Sequence, residues 1–145
     1  MDPRKIELAF PGLVETGYEV TSPSDPRYNC FAWAAGDQSR WWQPPSLLDG
    51  GYYWPSKETR QNRAAVVKAY ETLGFRRCDD GATEPGWARI ALFEREEVIT
   101  HAARQLPDGR WTSKLGTQQD IAHQLQALDG TQEYGNVVVF LKRRL

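Results

Sequence analysis

"ITHAARQLPDGRWTSKLG", Ile99 to Gly116, is the stretch on which the fold turns. Ile99, His101, Ala103 and Gln105 take alternate positions, as on one side of a strand. Pro107-Asp108-Gly109 then interrupts the run. Proline presets the first central position of a type I turn, and glycine suits the left-handed position after it. "RWTSKLG" resumes as a return strand. Such a turn pairs Leu106 with Arg110. Counting back, Ala103 faces Ser113 and His101 faces Leu115. Ser113 then sits diagonally from His101 on the same face, within reach of a cross-strand contact.

Working outward, Thr117 reads as the cap of a helix over "QQDIAHQLQAL", residues 118–128, with Ile121, Leu125 and Leu128 on its apolar side. Asp120 falls in its first turn, where a carboxylate suits the helix dipole. His123 points away from the apolar side, toward solvent. "YGNVVVFLKRR", residues 134–144, has the continuous apolar run of a central or well-covered strand. Upstream, "FRRC" at 75–78 and "ARIALFE" at 88–94 read as strands. "ETRQNRAAVVKAYETLG", 58–74, is the clearest helix, with Ala64, Val67, Ala69, Tyr70 and Leu73 at helical spacing and Gly74 at its end.

An earlier helix is expected from about Arg27 or Tyr28 to Ala35, stopping at Gly36. Residues 1–26 read as an irregular arm with one short strand. "RWWQPPSLLDGGYYWPS", 40–56, is an aromatic loop that either walls a cleft or forms a hydrophobic flap over the core. The expected fold is α+β: one domain over residues 1–145, with an antiparallel sheet of about 4–5 strands packed against the N-terminal helices.

A chain of 145 residues can bury a core without disulfide staples. A net charge of −1 makes no electrostatic case for nucleic acid or an anionic membrane. No apolar run is long enough for a transmembrane helix, and "MDPRKIELAF" lacks the pattern of a signal peptide. A cytoplasmic protein with no cofactor is therefore expected. Cys30 and Cys78 read as free thiols. The cysteines and the histidines His101 and His123 form no CxxC or HxxxH pair, so no metal site is expected.

"RYNCFAWAAGD", 27–37, carries the candidate chemistry. Cys30 lies in the first turn of its helix. Free N–H groups there favour a thiolate and can form half of an oxyanion hole. A thiol nucleophile also needs a base, and His101 is the candidate. The plainer alternative is a buried thiol that packs like a small hydrophobe beside a hydrogen-bonded strand histidine. Cys78 has no helix start beside it and reads as structural.

"YNCFAWAAG" followed by "ITHAARQLPDGRWTSKLG" resembles the Cys and His segments of papain-like cysteine hydrolases, with the NlpC-type and CHAP-type amidases and peptidases nearest in layout. The hairpin is also similar to the His hairpin of transglutaminase-like proteins. "SKLG" with "QDIAH" is similar to a motif of an uncharacterised family of small bacterial proteins. The resemblance implies a papain-like core, with Cys30 as nucleophile and His101 as base. Ser113 is the in-sheet candidate for the residue that orients His101, and Asp120 the charged candidate just beyond. The Cys30 backbone N–H and the Asn29 side chain would hold the oxyanion, and Trp33 and Lys114 would border the substrate. Lys114 on an edge also reads as a solvated charge. The implied reaction is hydrolysis or acyl transfer at an amide bond of a peptide or protein (peptidase, amidase or deamidase). The alternative is a catalytically inactive member of the same fold that works as a protein-interaction module, for which the Trp-rich surface is suited.

Overall fold

A computed structural model describes residues 3–44, 52–58 and 60–145. The 45–51 part of the aromatic loop lies outside the described residues. The central hairpin forms as the turn chemistry requires. Leu106 N–H bonds Arg110 O at 2.7 Å, Gly109 N–H bonds Leu106 O at 3.0 Å, and Gly109 has φ 93°. It joins β4 (Val98–Gln105) to β5 (Trp111–Lys114).

Around this hairpin lies an antiparallel sheet of seven strands, larger than the four or five expected. Its order is β1-β6-β5-β4-β3-β7-β2, with β1 Tyr18–Ser22, β2 Arg76–Cys78, β3 Trp87–Arg95, β6 Asp120–His123 and β7 Asn136–Arg144. The fold is α+β. Strand β7 pairs with β3 on one side and β2 on the other, as its apolar run suggests. Among the described residues no helix is long and apolar enough to cross a membrane.

Two expectations are corrected. The helix expected over 118–128 does not form. Residues Asp120–His123 are instead β6, paired with both β5 and β1, and only a short 3-10 turn, Leu125–Ala127, follows. The segment is too short to sustain a helix by itself. All four residues of "DIAH" are buried, and Ser113↔Ile121 and Lys114↔Asp120 pair the segment with β5. A turn closed by Gln118 N–H to Leu115 O at 2.8 Å returns the chain there. The N-terminal arm is not irregular either. It contains α1 (Pro3–Ala9) and α2 (Gly12–Thr16) ahead of β1. Proline opens α1, where its missing N–H costs nothing. Ile6 and Leu13 are fully buried and anchor the two short helices.

The sheet is covered on both faces. On one face α3 (Cys30–Ala34) and α4 (Arg63–Glu71) bury Phe31, Ala34, Val66, Val67 and Tyr70 against Ile90, Leu92, Ala102 and Leu141. On the other, Ile6, Phe10, Leu13 and Leu128 pack on Ala91, Phe93, Ala103, Trp111 and Ile121. The aromatic segment contributes a flap. Trp42 is buried, its ring 5.3 Å from Tyr53 and 6.2 Å from Tyr70, while Trp54 meets Phe31 edge-on at 6.1 Å.

Helix α3 starts at Cys30 because Asn29 caps it. The Asn29 carboxamide oxygen accepts from Ala32 N–H at 3.2 Å and Trp42 N–H at 3.2 Å, and its nitrogen donates to Trp42 O at 2.7 Å. This one side chain begins the helix and ties the flap to it. Asn29→Ala removes all of these bonds and should cost about 2 kcal/mol. Thermal unfolding should then shift down by roughly 4–8 °C. An unchanged melting temperature would show that the cap contributes nothing.

Candidate functional site

Strand β4 presents neighbouring residues to opposite faces. Ala102 pairs with Leu92 and faces α3, whereas His101 pairs with Phe93 on the other face. The β4–β5 ladder consists of Arg104↔Thr112 and Gln105↔Trp111. Beside His101 and Ala102 the ladder is therefore open, and the start of α3 packs over β4 and β5.

Cys30 is the first residue of α3 and is buried. Burial pushes its thiol up to about 11. The backbone N–H groups of Ala102, Phe31 and Cys30 itself, with the charge of Lys114, pull the other way. The helix start thus offers a thiolate its N–H groups, but desolvation prevails and the resting group is a thiol.

The His101 ring is fully buried, stacked on Tyr134 at 4.0 Å with an interplanar angle of 4° and edge-on to Phe93 at 5.1 Å. Its Nε2 lies 2.9 Å from Ser113 Oγ, the diagonal contact that the hairpin register leads one to expect. Ser113 Oγ in turn lies 2.7 Å from Nε2 of His123, whose Nδ1 is 2.8 Å from the Gln124 carbonyl. Burial holds both imidazoles below the usual histidine range, His123 at about 4.

With both rings neutral, this chain of bonds assigns every proton. A carbonyl only accepts, so His123 carries its proton on Nδ1. Its Nε2 then accepts the Ser113 hydroxyl proton. Ser113 Oγ, having donated its one proton, accepts from His101 Nε2–H. His101 is thereby fixed as the Nε2–H tautomer. Its Nδ1 is left with a bare lone pair and no hydrogen-bond partner. No hydrogen bond joins that nitrogen to Cys30.

The remaining candidates have other tasks. Asp120 is buried on β6, not in a helix, and accepts from Tyr28 Oη at 2.8 Å and from Thr21 Oγ1. It clamps the segment before α3 and is not bonded to His101. Lys114 is corrected from a solvated edge residue to a buried one. Its Nζ donates to Asp25 O at 2.8 Å and Gly116 O at 2.6 Å and lies 4.7 Å from the Tyr28 ring centre. Burial lowers its pKa. Trp33 Nε1 donates to Thr112 Oγ1 at 3.0 Å. The Asn29 amide, occupied by Ala32 and Trp42, is not free for an oxyanion. Cys78 is half-buried, its Sγ 3.5 Å from Asp80 O, and both cysteines are free thiols. No group of three His, Cys, Asp or Glu side chains is arranged for a metal ion among the described residues.

His123 is the site residue that reading the sequence missed. The helical spacing of Ile121, Leu125 and Leu128 puts it on the solvent side of the expected helix. "DIAH" carries no clean polar–apolar alternation, and it is the pairing with β5 that puts His123 opposite Trp111.

Neither a curated protein nor a solved structure matches the chain. The family model of DUF7689, a domain of unknown function, matches residues 19–142. The chain therefore belongs to the DUF7689 family.

Proposed function

We propose that the protein is a cysteine hydrolase or acyltransferase of papain-like core that acts on an amide bond of a peptide or protein. One observation carries the reading. His101 is a buried, neutral imidazole with its tautomer locked and Nδ1 bare, next in sequence to Ala102, whose N–H meets the Cys30 thiol. A general base needs that free lone pair. Ser113 and His123 are the positioning residues.

In this reaction Cys30 Sγ attacks the amide carbonyl carbon as its proton passes to His101 Nδ1. Because the resting pair is neutral, the proton moves as the S–C bond forms. Backbone N–H groups at the start of α3 face the developing oxyanion. The tetrahedral adduct collapses, and His101 returns the proton to the leaving amine. Water, or an acceptor amine, then attacks the thioester with His101 again as base. Attack by this route requires Cys30 and Nδ1 to approach one another across the open part of the β4–β5 ladder, because no hydrogen bond joins them in the resting chain. A cytoplasmic location, where both thiols stay reduced, accords with this chemistry.

A second reading is an inactive interaction module, favoured by the burial that raises the Cys30 thiol. Iodoacetamide alkylation with peptide mapping separates the two. At about neutral pH Cys30 should be alkylated in the native chain, and His101→Gln should slow it roughly tenfold or more, with Cys78 unaffected. Absence of Cys30 alkylation, or a rate indifferent to His101, would leave the interaction module as the reading.

A further inference from the structure

A cavity of about 520 Å³ opens where β3 begins and β4 ends. Its apolar walls include Pro85, Trp87, Ala88, Leu106 and Pro107, and Arg104 is among the residues that line it. The volume suits a small ligand, as does the combination of apolar walls with a few polar side chains, Thr83, Glu84 and Gln105 beside Arg104.

Arg104 stands apart from the other arginines of this part of the sheet that are not exposed. Arg89 pairs with Asp80 and Glu84, and Arg143 donates to Leu73 O at 3.1 Å. Arg104 is half-buried, yet among the described residues no hydrogen bond or ion pair engages it. Its nearest charged influence is the like charge of Arg143, which together with burial lowers its pKa. A half-buried cation without an acceptor is costly. The fold nevertheless makes room for it. A Cβ at Gly36, just beyond α3, would stand 2.8 Å from Arg104 Nη1, and Gly36 has φ 85°. Glutamate 84, the acid in the wall, is already bound to Arg89 and Lys142.

We propose that this cavity binds a monocarboxylate carried on an apolar body, with the Arg104 fork gripping the carboxylate. A guanidinium matches a carboxylate with two parallel N–H···O bonds. One half-buried arginine without an acceptor beside leucine and proline suits a carboxylate carried on a hydrophobic group. Both a free alkyl acid and the C-terminus of an apolar peptide present that chemistry. The cavity lies toward the Gly36 end of α3, away from Cys30, and does not depend on thiol chemistry.

The test is an amide ¹H–¹⁵N NMR titration of the whole chain with hexanoate, with N-acetyl-leucyl-leucine and with neutral hexanamide. At least one of the two acids should shift the Trp87, Ala88 and Leu106 signals saturably, and which one responds identifies the source. Hexanamide should bind roughly tenfold more weakly or not at all. Arg104→Gln should weaken the acid by a similar factor, and Arg104→Lys should retain part of the affinity, each variant's spectrum reporting its fold. Equal binding of hexanamide, no binding of either acid, or affinity unaltered in a folded Arg104→Gln would overturn the proposal. The hexanamide comparison needs no variant, so a misfolded Arg104→Gln still leaves the proposal open to refutation.

Discussion

Ser113→Ala should lower the unfolding free energy by about 2–5 kcal/mol, far more than an ordinary loss of one hydroxyl. Ser113 is fully buried and its Oγ serves two buried imidazoles, at 2.9 Å to His101 and 2.7 Å to His123. Its removal strands both Nε2 atoms in a closed core. Each stranded buried group costs about 1–3 kcal/mol, and no solvent path repairs either. For a domain of this size the melting temperature should fall by roughly 5–15 °C. A double-mutant cycle isolates the cause. In a His123→Leu background one of the stranded nitrogens no longer exists, so Ser113→Ala should cost about 1 kcal/mol less. Strict additivity in that cycle would show that Ser113 and His123 are not energetically linked. The substitution also releases the His101 tautomer, so Cys30 alkylation should slow even where the folded chain persists.

Most of what surrounds that serine was readable from the chain because it rests on local chemistry. Pro107 and Gly109 set the hairpin, and the hairpin sets its register. The register in turn placed Ser113 within reach of His101. Asn29 before Cys30 likewise marked the start of α3 through a bond it makes three residues on. The errors arose where a distant partner decides. Residues 118–128 carry a helical spacing of Ile121, Leu125 and Leu128, and Asp120–His123 has no clean alternation to oppose it. The free edge of β5 overrides that local signal and selects the strand.

Lys114 was misplaced for the same reason. Without β6 in the expected sheet, Lys114 reads as an edge lysine. Once β6 and β1 extend the sheet beyond β5, Lys114 becomes interior and needs the Asp25 and Gly116 carbonyls. His123 escapes a reading of the sequence for the same reason. His123 sits one strand beyond the hairpin and acts through Ser113, so no spacing rule within the hairpin could find it. The two short helices of the first sixteen residues show the opposite case. Little in their length favours a helix, and burial of Ile6, Phe10 and Leu13 against the far face of the sheet stabilises them.

The buried imidazoles also dictate how stability responds to acid. His123 is held at about 4 in the folded chain, against about 6.5 for a free histidine. Above about pH 6.5 it is neutral in both folded and unfolded chains and contributes no pH dependence. As pH falls below that value, the unfolded chain binds a proton that the folded chain refuses, so stability declines until about pH 4. A displacement of this size corresponds to about 3 kcal/mol from His123. His101, also held low by burial, adds a loss of the same sign starting at the same pH. The low carboxylates fall outside this window. Asp25, Asp37 and Glu58 lie at about 2, so what they contribute is lost only as pH drops below the ordinary carboxylate range of about 4.

Urea unfolding from about pH 7.5 to about pH 4.5 should therefore show a fall of roughly 3 kcal/mol or more, and His123→Gln should flatten a large part of it. A flat wild-type profile would mean that the folded core accepts protons on these rings. The same neutrality bears on the proposed chemistry. A solvent-exposed histidine base is lost by protonation as pH falls through about 6.5. His101, kept neutral well below that point, remains a base, and Cys30 alkylation in the folded chain should show no inflection there. An inflection near 6.5 that disappears in His101→Gln would show that His101 takes up protons like a free imidazole in the reactive state, and the buried relay would then not be what keeps it a base.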